Sequence, residues 1–97
     1  MNAASTQYDA AAYAIDAAIQ AAVWGDVSEA TALVSEAVDA VSGCPYPHLS
    51  RDFRVYGAAA IDSLRAREFE RADTYMRLLL HVIEDMERFE GAQFTPA

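Results

Sequence analysis

The chain has 97 residues, with 15 acids against 7 bases and a formal net charge of −8 at pH 7. That length holds one modest core, so residues 1–97 are expected to form a single helical domain, and the acidity disfavours contact with a phosphate backbone. A lone cysteine excludes an intrachain disulfide. With no basic leader-like start and no apolar run near the ~20 residues that span a bilayer, a cytoplasmic protein without membrane association is expected.

The first helix is predicted over about 6–24. Thr6 and Asp9 make a start similar to a capping box, and Tyr8, Ala12, Ile15, Ile19 and Ala22 recur at helical spacing. Gly25 ends it, and Asp26, followed by Glu29, caps a second helix over 26–42. The buried stripe of that helix is Val27, Ala30, Val34, Ala37, Val38 and Val41. Its valines form helix poorly alone, so packing must hold it. A proline-containing loop over 43–49 follows, with Gly43 offering a left-handed cap and Pro45 and Pro47 keeping the chain extended.

Ser50 is expected to cap a third helix, 50–66, with Asp52 in its first turn and Phe53, Gly57, Ala60, Ile61 and Leu64 facing inward. No Gly or Pro separates it from the fourth, 68–90, but the apolar stripe slips phase between Leu64 and Phe69. An unbroken helix from 50 to 90 would be about 60 Å long, which places a break near Arg67. Gly91 and Pro96 are expected to end the last helix and leave a frayed tail, 91–97.

An offset of 42 residues superimposes the two halves, matching Ala17 with Ala59, Ala18 with Ala60, Val27 with Phe69, Ala30 with Ala72, Val34 with Met76 and Ala37 with Leu79. The run Gly25-Asp26-Val27-Ser28-Glu29-Ala30, followed by Val34 and Ala37, resembles the second-helix signature of the tetratricopeptide repeat. The resemblance is best over 17–41 and weaker over 59–83. The spacing departs from that family's repeat of about 34, and its first-helix aromatic and glycine pattern is absent. The expected fold is therefore all-α: four helices in two antiparallel hairpins, as a compact four-helix bundle or as two stacked repeats of that type.

No motif for catalysis, cofactor or metal binding stands out. Cys44, His48 and His81 fall short of a four-ligand zinc set, no Glu-x-x-His pairs supply a di-iron site, and the four glycines stand singly. Arg51, Arg54 and Arg65 share a helical sector, but pairs such as Glu68 with Arg71, Asp73 with Arg77 and Glu84 with Arg88 account for arginines without a ligand.

Residues 1–50 carry six acids and no base, against nine acids and seven arginines in 51–97. Trp24, Tyr13, Tyr46 and Tyr56 exceed what the core stripes require, and aromatic residues concentrate at binding hot spots. Trp24 either lids the end of the bundle or anchors a partner. The expected function is a non-catalytic module that docks on a partner protein through Asp9, Tyr13, Asp16, Trp24, Glu36, Asp39, Tyr46 and Tyr56. In size and charge it is similar to phage-encoded anti-defence inhibitors, anti-CRISPR proteins among them, which block basic nucleic-acid-binding surfaces. A homo-oligomeric structural protein, with a symmetric dimer covering an apolar face, is one alternative. A helical pocket for a small ligand, lined by Cys44, Tyr75 or His81, is the other.

Overall fold

Ala3 and Ala4, of the highest helix propensity, carry the first helix further upstream than Thr6. In the computed structural model, which describes residues 3–94 and the side-chain surroundings of residues 6–91, α1 spans Ala3–Val23, so Thr6 lies within it and caps nothing. Helix α2 spans Val27–Ala40, and the Asp26 carboxylate accepts the Glu29 backbone N–H at 3.1 Å, as the capping pattern requires.

Two boundaries depart from expectation around the prolines. Gly43 has no left-handed backbone; α2 closes instead through the Val41 N–H, which donates to Ala37 and Asp39. Helix α3 spans Pro47–Arg65, beginning three residues before Ser50, with Tyr46 as its cap residue. Proline at the first helical position gives up an N–H that had no partner and already holds a helical φ. Ser50 is consequently inside the first turn, donating its N–H to the Tyr46 carbonyl at 3.0 Å, and Asp52 falls beyond that turn. Helix α4 spans Phe69–Phe94 and passes through Gly91, which by itself costs a helix only about 1 kcal/mol. Pro96 lies outside the described residues.

The described residues contain no strand. Helix α1 packs on α2, α2 on α3 and α3 on α4, and α4 returns to α1, while the diagonal pairs barely touch. The result is a closed four-helix bundle, 48 × 23 × 18 Å in extent, whose short connections make neighbours antiparallel. Two stacked hairpins would leave α4 away from α1; here it completes a ring. The buried interior is unevenly supplied. Beside Tyr8, Ile15, Ile19, Val34 and Val41, the first hairpin buries Ala11, Ala14, Ala18, Ala30 and Ala37, whereas α3 and α4 bury Leu49, Phe53, Leu64, Met76, Leu79, Val82, Ile83 and Met86 with Ala60 and Ala72. Alanine is thus commoner in the core of the first hairpin and large side chains in that of the second.

The 42-residue offset survives in backbone detail. Gly25, at φ 75°, and Arg67, at φ 59°, hold the same left-handed position after α1 and α3. Gly25 N–H donates to Ala22 and Asp26 N–H to Ala21, both at 2.9 Å; 42 residues on, Arg67 donates to Leu64 at 3.0 Å and Glu68 to Ser63 at 2.8 Å. Each pair satisfies the last carbonyls of its helix in a Schellman turn. The break at Arg67 thus forms without glycine, by holding an L-residue where only glycine is unstrained. Arg67→Gly is expected to raise stability by about 0.5–1 kcal/mol, part of the relieved strain being offset by a more flexible unfolded chain. Urea unfolding beside Gly25→Ala, which should shift stability the opposite way, checks this.

At Gly57 α3 lies tight against α2: a Cβ there would stand 2.8 Å from Val38 Cγ2. Valine in a helix has one strongly preferred rotamer, so it cannot easily swing away. Gly57→Ala is therefore expected to destabilise by about 1 kcal/mol, an overpacking cost exceeding the better helix propensity of alanine. Combined with Val38→Ala, it should cost far less than the two changes summed, a double-mutant cycle that isolates the clash.

Candidate protein-docking surface

At 100° per residue, Asp9, Tyr13, Asp16 and Gln20 share one face of α1, which Trp24 continues into the turn. That face is turned toward α4 and solvent. Tyr13 is 78% exposed, Val23 73% and Trp24 84%, so Trp24 is no lid on the bundle end. Between α1 and α4 runs an open seam lined by Tyr13, Asp16, Ala17, Ile19, Gln20 and Arg77. It continues past Ile19 into a slot walled by Ala22, Val23 and Phe69, with Glu70 and Asp73 at the edge. Arg77 donates from Nε to Asp73 Oδ2 at 2.8 Å; that bond, the Asp73 charge and then Asp16 raise the guanidinium pKa above its ordinary value.

Further along the same faces of α1 and α4, partial desolvation pushes the Glu87 carboxyl above its ordinary value, and the charges of Asp9 and Glu84 push it further. A raised folded-state pKa means the folded chain holds the proton that the unfolded chain releases. This contribution to stability is therefore complete below the ordinary glutamate pKa and is lost as pH rises through the raised one. Glu87→Gln should remove that decline, which thermal unfolding across mildly acidic to neutral pH would record.

The remaining expected docking residues do not join this face. Glu36 and Asp39 are exposed on α2, and Asp39 lines a shallow groove with Arg54 and Gly57 between α2 and α3, across the bundle from the seam. Tyr56 is half-buried and stacks on Tyr75 at a centroid distance of 6.4 Å. Tyr46 is a core residue, only 8% exposed: its hydroxyl donates to Glu90 Oε2 at 2.8 Å and its ring lies 5.6 Å from that of Phe89. Burial, then Glu90, lifts its phenol to about 12. Tyr46 holds the α2–α3 connection against the end of α4 and is not available as an anchor.

Compared with protein-family models, curated proteins and solved structures, the chain finds no match.

The chemically suspect residues are dispersed. Cys44 is half-buried with its Sγ 4.0 Å from the Tyr8 hydroxyl, and His48 meets Phe89 edge-on at 6.0 Å. His81 stands exposed 3.5 Å from Glu84, and Tyr75 is engaged with Tyr56. Among the described residues no three His, Cys, Asp or Glu side chains are grouped to hold a metal ion, and no helix is long and apolar enough to cross a membrane. Two of the expected ion pairs form, Arg71 with Glu68 at 3.6 Å and Arg77 with Asp73, whereas Arg88 lies 3.5 Å from Asp85 in place of Glu84.

Sequence reasoning missed the contribution of α4 to the seam: Phe69, Glu70, Asp73 and Arg77. Their spacing shows that they share a side of α4, but not which helix that side meets.

Proposed function

We propose that this chain is a non-catalytic binding module that docks on a basic protein surface, as an inhibitor or adaptor of a nucleic-acid-binding partner. The observation that carries the reading is the α1 face, where Tyr13, Val23 and Trp24 stand exposed beside Asp9 and Asp16. Exposed apolar groups gathered on one face and rimmed by charge mark interaction sites, and aromatic anchors are where interfaces concentrate affinity. The acids supply steering toward a basic surface and repel phosphate, so the chain competes with nucleic acid for the partner and does not bind nucleic acid itself. Affinity capture from the native host, with elution by rising salt, tests this. A basic protein that is retained at low salt, released as salt rises and lost with Trp24→Ala is the expected result. Retention that ignores both changes would sink the reading.

The exposed Val23 and Trp24 also favour a second reading, a homodimer meeting at that end of the bundle. The net charge of −8 opposes it, because two acidic seams brought together repel. Sedimentation at high protein concentration separates the two readings: a strict monomer removes the second.

A further inference from the structure

The seam between α1 and α4 has a polarity along its length. At one end lies the apolar slot of Ile19, Ala22, Val23 and Phe69, edged by Glu70 and Asp73. In the middle, Asp16 and Asp73 face Arg77, the one cation lining the seam among the described residues. Toward the other end, helical spacing continues the two facing sides with Asp9 on α1 and Glu84 and Glu87 on α4. From Asp9 to Val23 is about 21 Å along the helix axis, or about four turns. Two antiparallel helices leave between them a straight groove of the kind into which a third helix packs its apolar side.

We infer that the seam receives a basic amphipathic helix of the partner protein. An aliphatic side chain enters the slot of Ile19, Ala22, Val23 and Phe69, and cations meet Asp16 and Asp73 midway and the acids that continue the same helix faces, Asp9, Glu84 and Glu87, beyond. The inference rests on reading the chain as an acidic docking module and adds the site and the chemistry of its occupant. Charge complementarity selects that occupant: acids stand on both walls, and a second copy of this chain would bring its own acids against them. An incoming Lys or Arg must compete with Arg77 for Asp73 and Asp16. Arg77 therefore acts as an internal stand-in for the partner's cation and sets how basic the partner must be.

The test titrates the isotope-labelled full chain with an acetylated, amidated peptide of about 18 residues built from Leu, Ala and Lys, with Leu on one helical face. A peptide of the same composition, permuted so that it has no face, serves as control. Expected are helix formation in the first peptide by circular dichroism, shifts at the Ile19, Val23 and Phe69 resonances, and affinity about tenfold above the control. Asp16→Asn with Asp73→Asn should weaken binding about tenfold, and Arg77→Ala should tighten it about threefold. All three positions are exposed or half-exposed, so unchanged melting curves separate these effects from loss of fold. If the permuted peptide binds as tightly, or the shifts map to α2 and α3, the seam assignment falls while an acidic docking module remains. If neither peptide binds at low salt, the functional reading falls with it. A seam occupied by a second copy, seen as a doubled mass together with no peptide binding, overturns the inference as well.

Discussion

Truncating Phe53 to alanine is expected to lower the unfolding free energy by about 3–5 kcal/mol, the range for emptying a large aromatic side chain from a packed core. Phe53 is 0% exposed on α3, in a bundle that buries seven alanines among the described residues. Where so many positions contribute a single methyl group, a few large side chains must fill the volume between the helices. Neighbouring alanines have no rotamers through which to repack, so the cavity collapses only in part. A domain of this size has a total stability of about 5–15 kcal/mol, so the loss is a large fraction of the whole. Urea denaturation would show a greatly lowered midpoint. Val55→Ala, two residues away on the exposed side of the same helix, should move it by no more than about 0.5 kcal/mol. A small loss at Phe53 would mean that the second hairpin is not the bulk of the core.

The division between small and large residues explains which parts of the fold were legible. The periodic stripes of Ala30, Val34 and Ala37 and of Ala72, Met76 and Leu79 identify the inward side of two helices, and all six residues are fully buried. The phase slip between Leu64 and Phe69 locates a break at Arg67 although no glycine stands there, because the tertiary arrangement imposes the left-handed turn and the backbone bears the strain. Local signals failed where two of them competed. Ser50 is a good cap residue, but Pro47 sits three positions upstream, and a proline free to occupy the first helical position starts the helix earlier. Gly43 and Gly91 mark no left-handed end, since one follows a helix already closed by Val41 and the other is carried within α4.

The candidate site was half legible for a different reason. Asp9, Tyr13, Asp16 and Trp24 share a face by helical spacing alone, a property of one segment. Tyr46 and Tyr56 have the same chemistry as Tyr13, and nothing local distinguishes them; Glu90 and Tyr75, far along the chain, draw them into the fold. The α4 wall of the seam depends on ring closure between the first and last helices, a long-range fact that periodicity does not encode.

Neutralising Asp9 and Asp16 together, as Asn, is expected to weaken binding to a basic partner about tenfold at low ionic strength. Neutralising Glu36 and Asp39 should have a much smaller effect. The two double variants change the net charge equally, so the comparison separates a local docking face from general acidity. Surface charges act over roughly a Debye length of 8–10 Å near physiological salt, so acids on another helix face contribute weakly to contacts in the seam. The loss should appear chiefly as slower association, because steering by exposed charge governs encounter more than residence. It should shrink as salt rises and screens the acids in both proteins. Both positions are exposed, and removing Asp9 relieves its repulsion of Glu87 while removing Asp16 gives up its attraction to Arg77, so melting curves of the double variant separate lost binding from lost fold. Association kinetics measured from about 50 mM to 500 mM salt would decide the matter. Equal weakening by the two double variants would assign binding to total charge. No weakening by either would remove electrostatics from the account and leave Tyr13, Val23 and Trp24 as apolar anchors alone.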